Sequence, residues 1–164
     1  MLRLVALLTV AGCSFAGEPE IERDTSASIQ TDRVTYTALA SGPAGGVSSY
    51  SFDLVARFTN TTPDTVYLRR HRNGLRPAFS IDGTAYSVLD FGADGVSLAV
   101  GPGRSRTDTL AVFGPHLIGS AGSYDGRLAG RMRLTYEAAR CEDLRACPLP
   151  DSVAVSNEFE VRLE

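Results

Sequence analysis

An alternation of period two recurs along this chain and limits what it can fold into more than any other feature. Phe52, Leu54, Ala56 and Phe58 alternate with Ser51, Asp53, Val55 and Arg57. Successive side chains of an extended strand point to opposite faces, so such a segment buries one face and wets the other. Asn60-Thr61-Thr62-Pro63-Asp64 follows as a dense turn signal, and Val66 and Leu68 then resume the alternation, which predicts a β-hairpin. Further strands are predicted at Ile29 to Ala38, Ala78 to Ile81, Ala85 to Leu89, Val96 to Val100 and Thr107 to Phe113, with Asp82-Gly83 as a tight turn. At the end Phe159, Val161 and Leu163 alternate with Glu158, Glu160 and Arg162, so the last strand carries one charged face. Turn signals spaced about eight to twelve residues apart favour an all-β sandwich or barrel, of about 7–9 antiparallel strands, over any helical fold.

One segment supports two readings. Gly130 to Tyr136 alternates as a strand, yet Leu134, Ala138, Cys141 and Leu144 also fit a helical stripe. The expectation is a strand through about Glu137, followed by an irregular or briefly helical excursion that holds Cys141 and Cys147.

A length of 164 residues suits one domain, and 43% apolar with 21% charged residues is globular composition. The 16 basic residues are all arginine, the plain reading of which is coding bias. A net charge of -3 gives nucleic acid no electrostatic footprint.

The N-terminus is the most specific stretch. Arg3 precedes an apolar run from Leu4 to Val10, too short to cross a bilayer, which takes about 20 residues of helix. That is the pattern of an export signal. Val10-Ala11-Gly12-Cys13 closely resembles the lipobox of bacterial lipoproteins. The resemblance implies a signal peptide over 1–12, a diacylglyceryl thioether on Cys13 and membrane anchoring through that lipid. With Ser14 rather than Asp after the cysteine, it also implies the outer membrane if the cell is Gram-negative. Residues 14–28 hold four acidic residues, Gly17 and Pro19. They read as a tether with a root-mean-square reach of about 20 Å, leaving 29–164 for the folded domain.

Exported proteins meet an oxidising compartment, and with Cys13 lipidated the remaining cysteines are an even pair. Cys141 and Cys147 are expected to form a disulfide closing a short loop, worth about 2.4 kcal/mol in the chain-entropy picture. A metal site would need more ligands than His71 and His116 offer, and redox pairs favour a two-residue spacer where this pair has five residues between its cysteines.

A strand ending in Asn60-Thr61-Thr62, then Thr65-Val66-Tyr67-Leu68, Val100-Gly101-Pro102-Gly103 with Ser105, Arg131 to Tyr136 and Ser156-Asn157-Glu158-Phe159 resembles uncharacterised bacterial lipoproteins with an immunoglobulin-like domain. The same order is weakly similar to the immunoglobulin-like family of intracellular proteinase inhibitors. The resemblance implies an immunoglobulin-like sandwich; no inhibitor loop carries over residue by residue.

Candidate sites are few. Arg69, Arg70, His71, Arg72 and Arg76 place five donors within eight residues beside Asn73-Gly74. Guanidinium forks match carboxylates and phosphates, so an anionic glycan, a lipid headgroup or an acidic peptide could dock there; a solvated loop is the plainer reading. Arg131 and Arg133, with Arg104 and Arg106 near a Pro-Gly turn, form a second cationic group, for which Glu158 and Glu160 are natural partners. His116 lies in a glycine-rich stretch from Gly114 to Gly126. Asn60-Thr61-Thr62 matches a glycosylation sequon but reads as a turn. Neither histidine sits in a nucleophile context, and Glu142 and Asp143 are adjacent in an expected surface loop, so no catalytic residue, metal or cofactor is assigned. The expected function is that of an anchored envelope module that binds a protein or an anionic glycan. The alternative is a structural or accessory domain of an envelope assembly, or an inhibitor-like domain.

Overall fold

The structure, a computed structural model, describes residues 24–44, 47–71, 74–75, 77–88, 96–113, 117–119 and 130–164. Cys13, its signal peptide and most of the expected tether lie outside them. The described residues form strands and turns with no α-helix, arranged as a β-sandwich.

The strands are β1 (Ile29–Thr31), β2 (Thr35–Ala44), β3 (Val47–Thr59), β4 (Val66–His71), β5 (Gly74–Leu75), β6 (Pro77–Ile81), β7 (Thr84–Val88), β8 (Val96–Val100), β9 (Ser105–Phe113), β10 (Leu117–Gly119), β11 (Gly130–Tyr136), β12 (Ala138–Ala139) and β13 (Phe159–Leu163). In the first layer β3 is the central strand. It pairs with β9 along nine consecutive positions from Ser51↔Phe113 to Thr59↔Ser105, and on its other edge with β1 and the far half of β2. The second layer runs from the near half of β2 through β13, β11, β6 and β7 to β10. After a break at Glu137 the β11 segment continues as β12, which brings in β4, β5 and β8.

Strand β2 belongs to both layers, since Thr35–Ala38 pair with β13 and Leu39 onward pairs with β3. The β2–β13 pairing is parallel, so the sandwich is mixed rather than purely antiparallel. The single strand expected from Ile29 to Ala38 is divided at Asp32. That carboxylate accepts the Tyr36 hydroxyl (2.6 Å) and the Val55 N–H (2.8 Å), turning the chain from one layer toward the other. The folded body also starts earlier than Ile29. Asp24 accepts the Ser26 N–H at 2.9 Å, and the Ser28 carbonyl accepts the Thr59 N–H at 2.8 Å.

The hairpin expected between Phe58 and Val66 does not form. Strand β3 and strand β4 lie in different layers, and the turn between them is an arch. Asn60 determines this. Its buried amide donates to the carbonyls of Asp64 and Val100, both at 2.8 Å, while its oxygen accepts from the Thr62 N–H and hydroxyl. Every polar atom of that side chain is used: the bonds to Thr62 and Asp64 shape the turn and the one to Val100 ties it to β8, which is the structural reason for the Asn-Thr-Thr triplet. The Asp82-Gly83 hairpin does form, with φ of 46° and 82° at its two turn residues and Ile81↔Thr84 closing the ladder. The segment after Glu137 contains the short β12 and then bends and turns, and a 3-10 turn occupies Asp151–Ala154.

The core lies between the inward rows: Phe52, Leu54, Ala56 and Phe58 of β3, Met132, Leu134 and Tyr136 of β11, Phe79 and Ile81 of β6, and Phe159 and Val161 of β13. Tyr36 packs edge-on against Phe159, ring centroids 5.4 Å apart. Leu163, expected to join this row, is 40% exposed, at the end of β13. Two buried polar residues close the seam. Asn157 accepts the Thr31 N–H at 2.9 Å and donates to the Thr31 hydroxyl, and the Ser156 hydroxyl accepts the Leu134 N–H at 2.8 Å. The Ser-Asn-Glu-Phe stretch is thus structural grammar rather than a site.

Candidate functional site

The arginine-rich segment folds as the end of β4 turning back into β5, with Arg70↔Leu75 and His71↔Gly74 in register. Alternation along β4 sends its residues to different places. Val66 and Leu68 face the core, while Tyr67 and Arg69 face outward. Arg69 is held rather than offered. Its Nη1 lies 2.9 Å from a carboxylate oxygen of Glu137, and its backbone N–H donates to the Glu137 carbonyl at 3.0 Å. Its Nε is buried and has no partner among the described residues. Arg70 has the inward parity of Leu68 but is exposed, and its ladder partners are Val96 on one side and Leu75 on the other. The His71 side chain and the residues Arg72 and Arg76 lie outside what is described. Of the expected anion-binding set, Arg70 is therefore an exposed guanidinium and Arg69 is an ion-paired one.

An acid that the sequence did not single out fastens this segment. Asp108 on β9 faces inward in the row with Leu110 and Val112, opposite Ala56, and only 8% of it is exposed. One carboxylate oxygen accepts the Leu75 N–H at 2.8 Å, which is a bond from one layer to the other. Its second oxygen receives Arg106, from Nε at 3.2 Å and from Nη2 at 3.1 Å. A buried carboxylate needs partners of this kind, since an unpaired one would be expelled or protonated. The signal available in the sequence was parity. Asp108 continues an inward row begun by the apolar Val112 and Leu110, and buried polar groups in such rows generally have a task.

Tyr136 closes the same neighbourhood from β11. Its ring is buried and its hydroxyl has no partner among the described residues. Burial pushes its pKa well above the tyrosine range, and the nearby Asp108 carboxylate adds to the rise while Arg106 opposes it.

The second cationic group is neutralised differently. Arg131 and Arg133 both reach Glu158, at 3.4 and 3.7 Å, whereas Glu160 pairs with Arg162 at 2.8 Å rather than with them. Arg106, grouped with them at first, belongs to Asp108 instead, because β9 lies in the other layer. Cys141 and Cys147 stand at disulfide distance, Cα atoms 6.0 Å apart, and the Arg140 N–H donates to the Cys147 carbonyl at 2.9 Å to close the loop. Leu144 turns inward from that loop while Glu142 and Asp143 stay exposed. His116 and most of the Gly114 to Gly126 stretch lie outside the described residues, with β10 the exception.

No protein-family model matches the chain, and no curated protein matches it, so a functional reading has to stand on these residues.

Proposed function

We propose that this chain is a lipid-anchored envelope lipoprotein whose β-sandwich is a non-catalytic binding module, and that its ligand is an anionic, carboxylate-bearing glycan docking at the β4–β5 hairpin. The observation that carries the reading is the exposed Arg70 on a hairpin fastened from below by Asp108. A cation held on a braced element loses less conformational freedom on binding than one on a free loop. The anchoring half of the reading rests on Val10-Ala11-Gly12-Cys13. Cys141 and Cys147 at disulfide distance suit an oxidising compartment outside the cytosol. The expected tether would carry the module away from the headgroups, which favours a polymer over the lipid surface itself.

The mutual pairing of Arg131, Arg133 and Glu158, and of Arg162 with Glu160, favours a second reading for that face, as the solvated or assembly-facing surface of an accessory domain. Titration of the full-length protein in non-ionic detergent with polygalacturonate tests the first reading. Saturable binding that weakens as sodium chloride rises is expected, and an absence of binding at low salt overturns it.

A further inference from the structure

Strand β9 meets the β4–β5 hairpin at β5, through the Leu75 N–H to Asp108 bond, and the alternating rows of β4 and β9 that carry their buried residues each end in an arginine. On β9 the row Val112, Leu110, Asp108, Arg106 stands opposite Phe52, Leu54, Ala56 and Phe58 of β3, all buried. On β4 the row Val66, Leu68, Arg70 stands opposite Val100, Leu98 and Val96 of β8. Residues directly paired in a ladder share a face, so Arg70 lies on the same face as its partner Leu75. Leu75 is the residue whose N–H is taken by Asp108, and Asp108 also holds Arg106. One buried carboxylate therefore links the hairpin of Arg70 to the guanidinium of Arg106. Arg106 is 47% exposed, and its two contacts with Asp108 use only part of a fork of five donors. Behind the pair lies the Tyr136 hydroxyl, a buried donor with no partner among the described residues, close enough to Asp108 and Arg106 to feel both charges.

We propose that Arg70 and Arg106 are the two cationic contacts of a single oxyanion site on the flank of the sandwich, and that Asp108 is the positioning residue which sets their spacing. The inference rests on the anionic-ligand reading above and deepens it, because it supplies a second contact from the opposite layer. The ligand group is a carboxylate of the glycan, which takes up the N–H groups that Arg106 leaves free.

The test uses the full-length chain in non-ionic detergent, titrated with polygalacturonate, with phosphatidylglycerol vesicles as a parallel arm. Arg70→Ala and Arg106→Ala are each expected to weaken polygalacturonate binding by about tenfold, the loss of one charge-assisted contact. Arg131→Ala, in the Glu158 cluster, should leave it unchanged. Arg106→Lys keeps the charge without the fork and should recover part of the loss, and it serves as the comparison if Arg106→Ala does not fold. Asp108→Asn removes a negative charge beside Arg106, which by charge alone would tighten anion binding. It should instead weaken binding, because Arg106 loses the partner that holds it while the asparagine keeps an acceptor for the Leu75 N–H. An Asp108→Asn variant that binds polygalacturonate as tightly as the wild type, or more tightly, overturns the positioning role. If the wild type shows no saturable binding, the anionic-glycan reading itself fails. If the wild type binds and Arg70→Ala weakens it but Arg106→Ala does not, the reading stands and the two-arginine site is overturned. Stronger binding to the vesicles than to polygalacturonate overturns the glycan as the source of the oxyanion.

Discussion

Asp32 shows how much one side chain can organise in a sandwich. It lies between β1 and β2, and its carboxylate takes the Tyr36 hydroxyl and the Val55 N–H. Partial burial acts to raise its pKa, but those hydrogen bonds and the neighbouring Arg33 outweigh burial, and the group ends below its ordinary value of 3.8. A native pKa below the unfolded one means that the native state binds the proton less readily. The stabilisation is therefore complete above pH 3.8 and is lost as pH falls through the lowered native value. Asp32→Asn keeps an acceptor but loses the charge, and should cost about 1 kcal/mol at neutral pH. Urea unfolding measured from pH 7 to pH 2 should show the variant losing less stability on acidification than the wild type; parallel curves would refute the assignment. Asp108 and Asn157 belong to the same class of residue. Each is a polar group at an inward position that joins elements far apart in sequence, and its partners, unlike its parity, were not legible from its immediate neighbours.

At the scale of elements, the β6–β7 hairpin and β11 meet at a close contact. The Asp82 N–H donates to the Arg131 carbonyl at 2.9 Å, and the Asp82 carboxylate accepts the Arg131 N–H at 3.0 Å. Gly130 sits at φ 135°, and a Cβ there would lie 2.5 Å from the Asp82 carboxylate. Gly130→Ala should cost about 1–3 kcal/mol from strain and displacement of Asp82. Gly83→Ala, at φ 82° with open space around it, should cost only about 1 kcal/mol. Thermal denaturation of the two variants side by side checks the order, and equal melting temperatures would contradict it. Element by element, the strands with one apolar face were legible in advance: Phe52 to Phe58, Val96 to Val100 and Gly130 to Tyr136 lie where the alternation put them. Connections were less legible. A turn signal such as Asn60 to Asp64 is the same whether the next strand returns beside the first or crosses to the other layer, because that choice depends on the distant Val100 carbonyl. The arginine-rich segment was visible as composition. That it would divide into an ion-paired Arg69 and an exposed Arg70 depended on Glu137, a residue 68 positions downstream, and ran against strand parity, which by itself points Arg70 inward.

For the whole molecule, the expected anchoring gives a prediction at the scale of the cell. Cys13→Ser should move the protein from the membrane to the soluble fraction and abolish palmitate labelling; retention of both would exclude Cys13 as the attachment point. Within the folded body, the parallel pairing of Thr35–Ala38 with Glu160–Leu163 determines how the domain responds to a pull. Tension applied upstream of β2 and downstream of β13 draws two parallel neighbours in opposite directions along their own axes. Their hydrogen bonds are then loaded together in shear, whereas an antiparallel pair pulled from its open end would unzip one rung at a time.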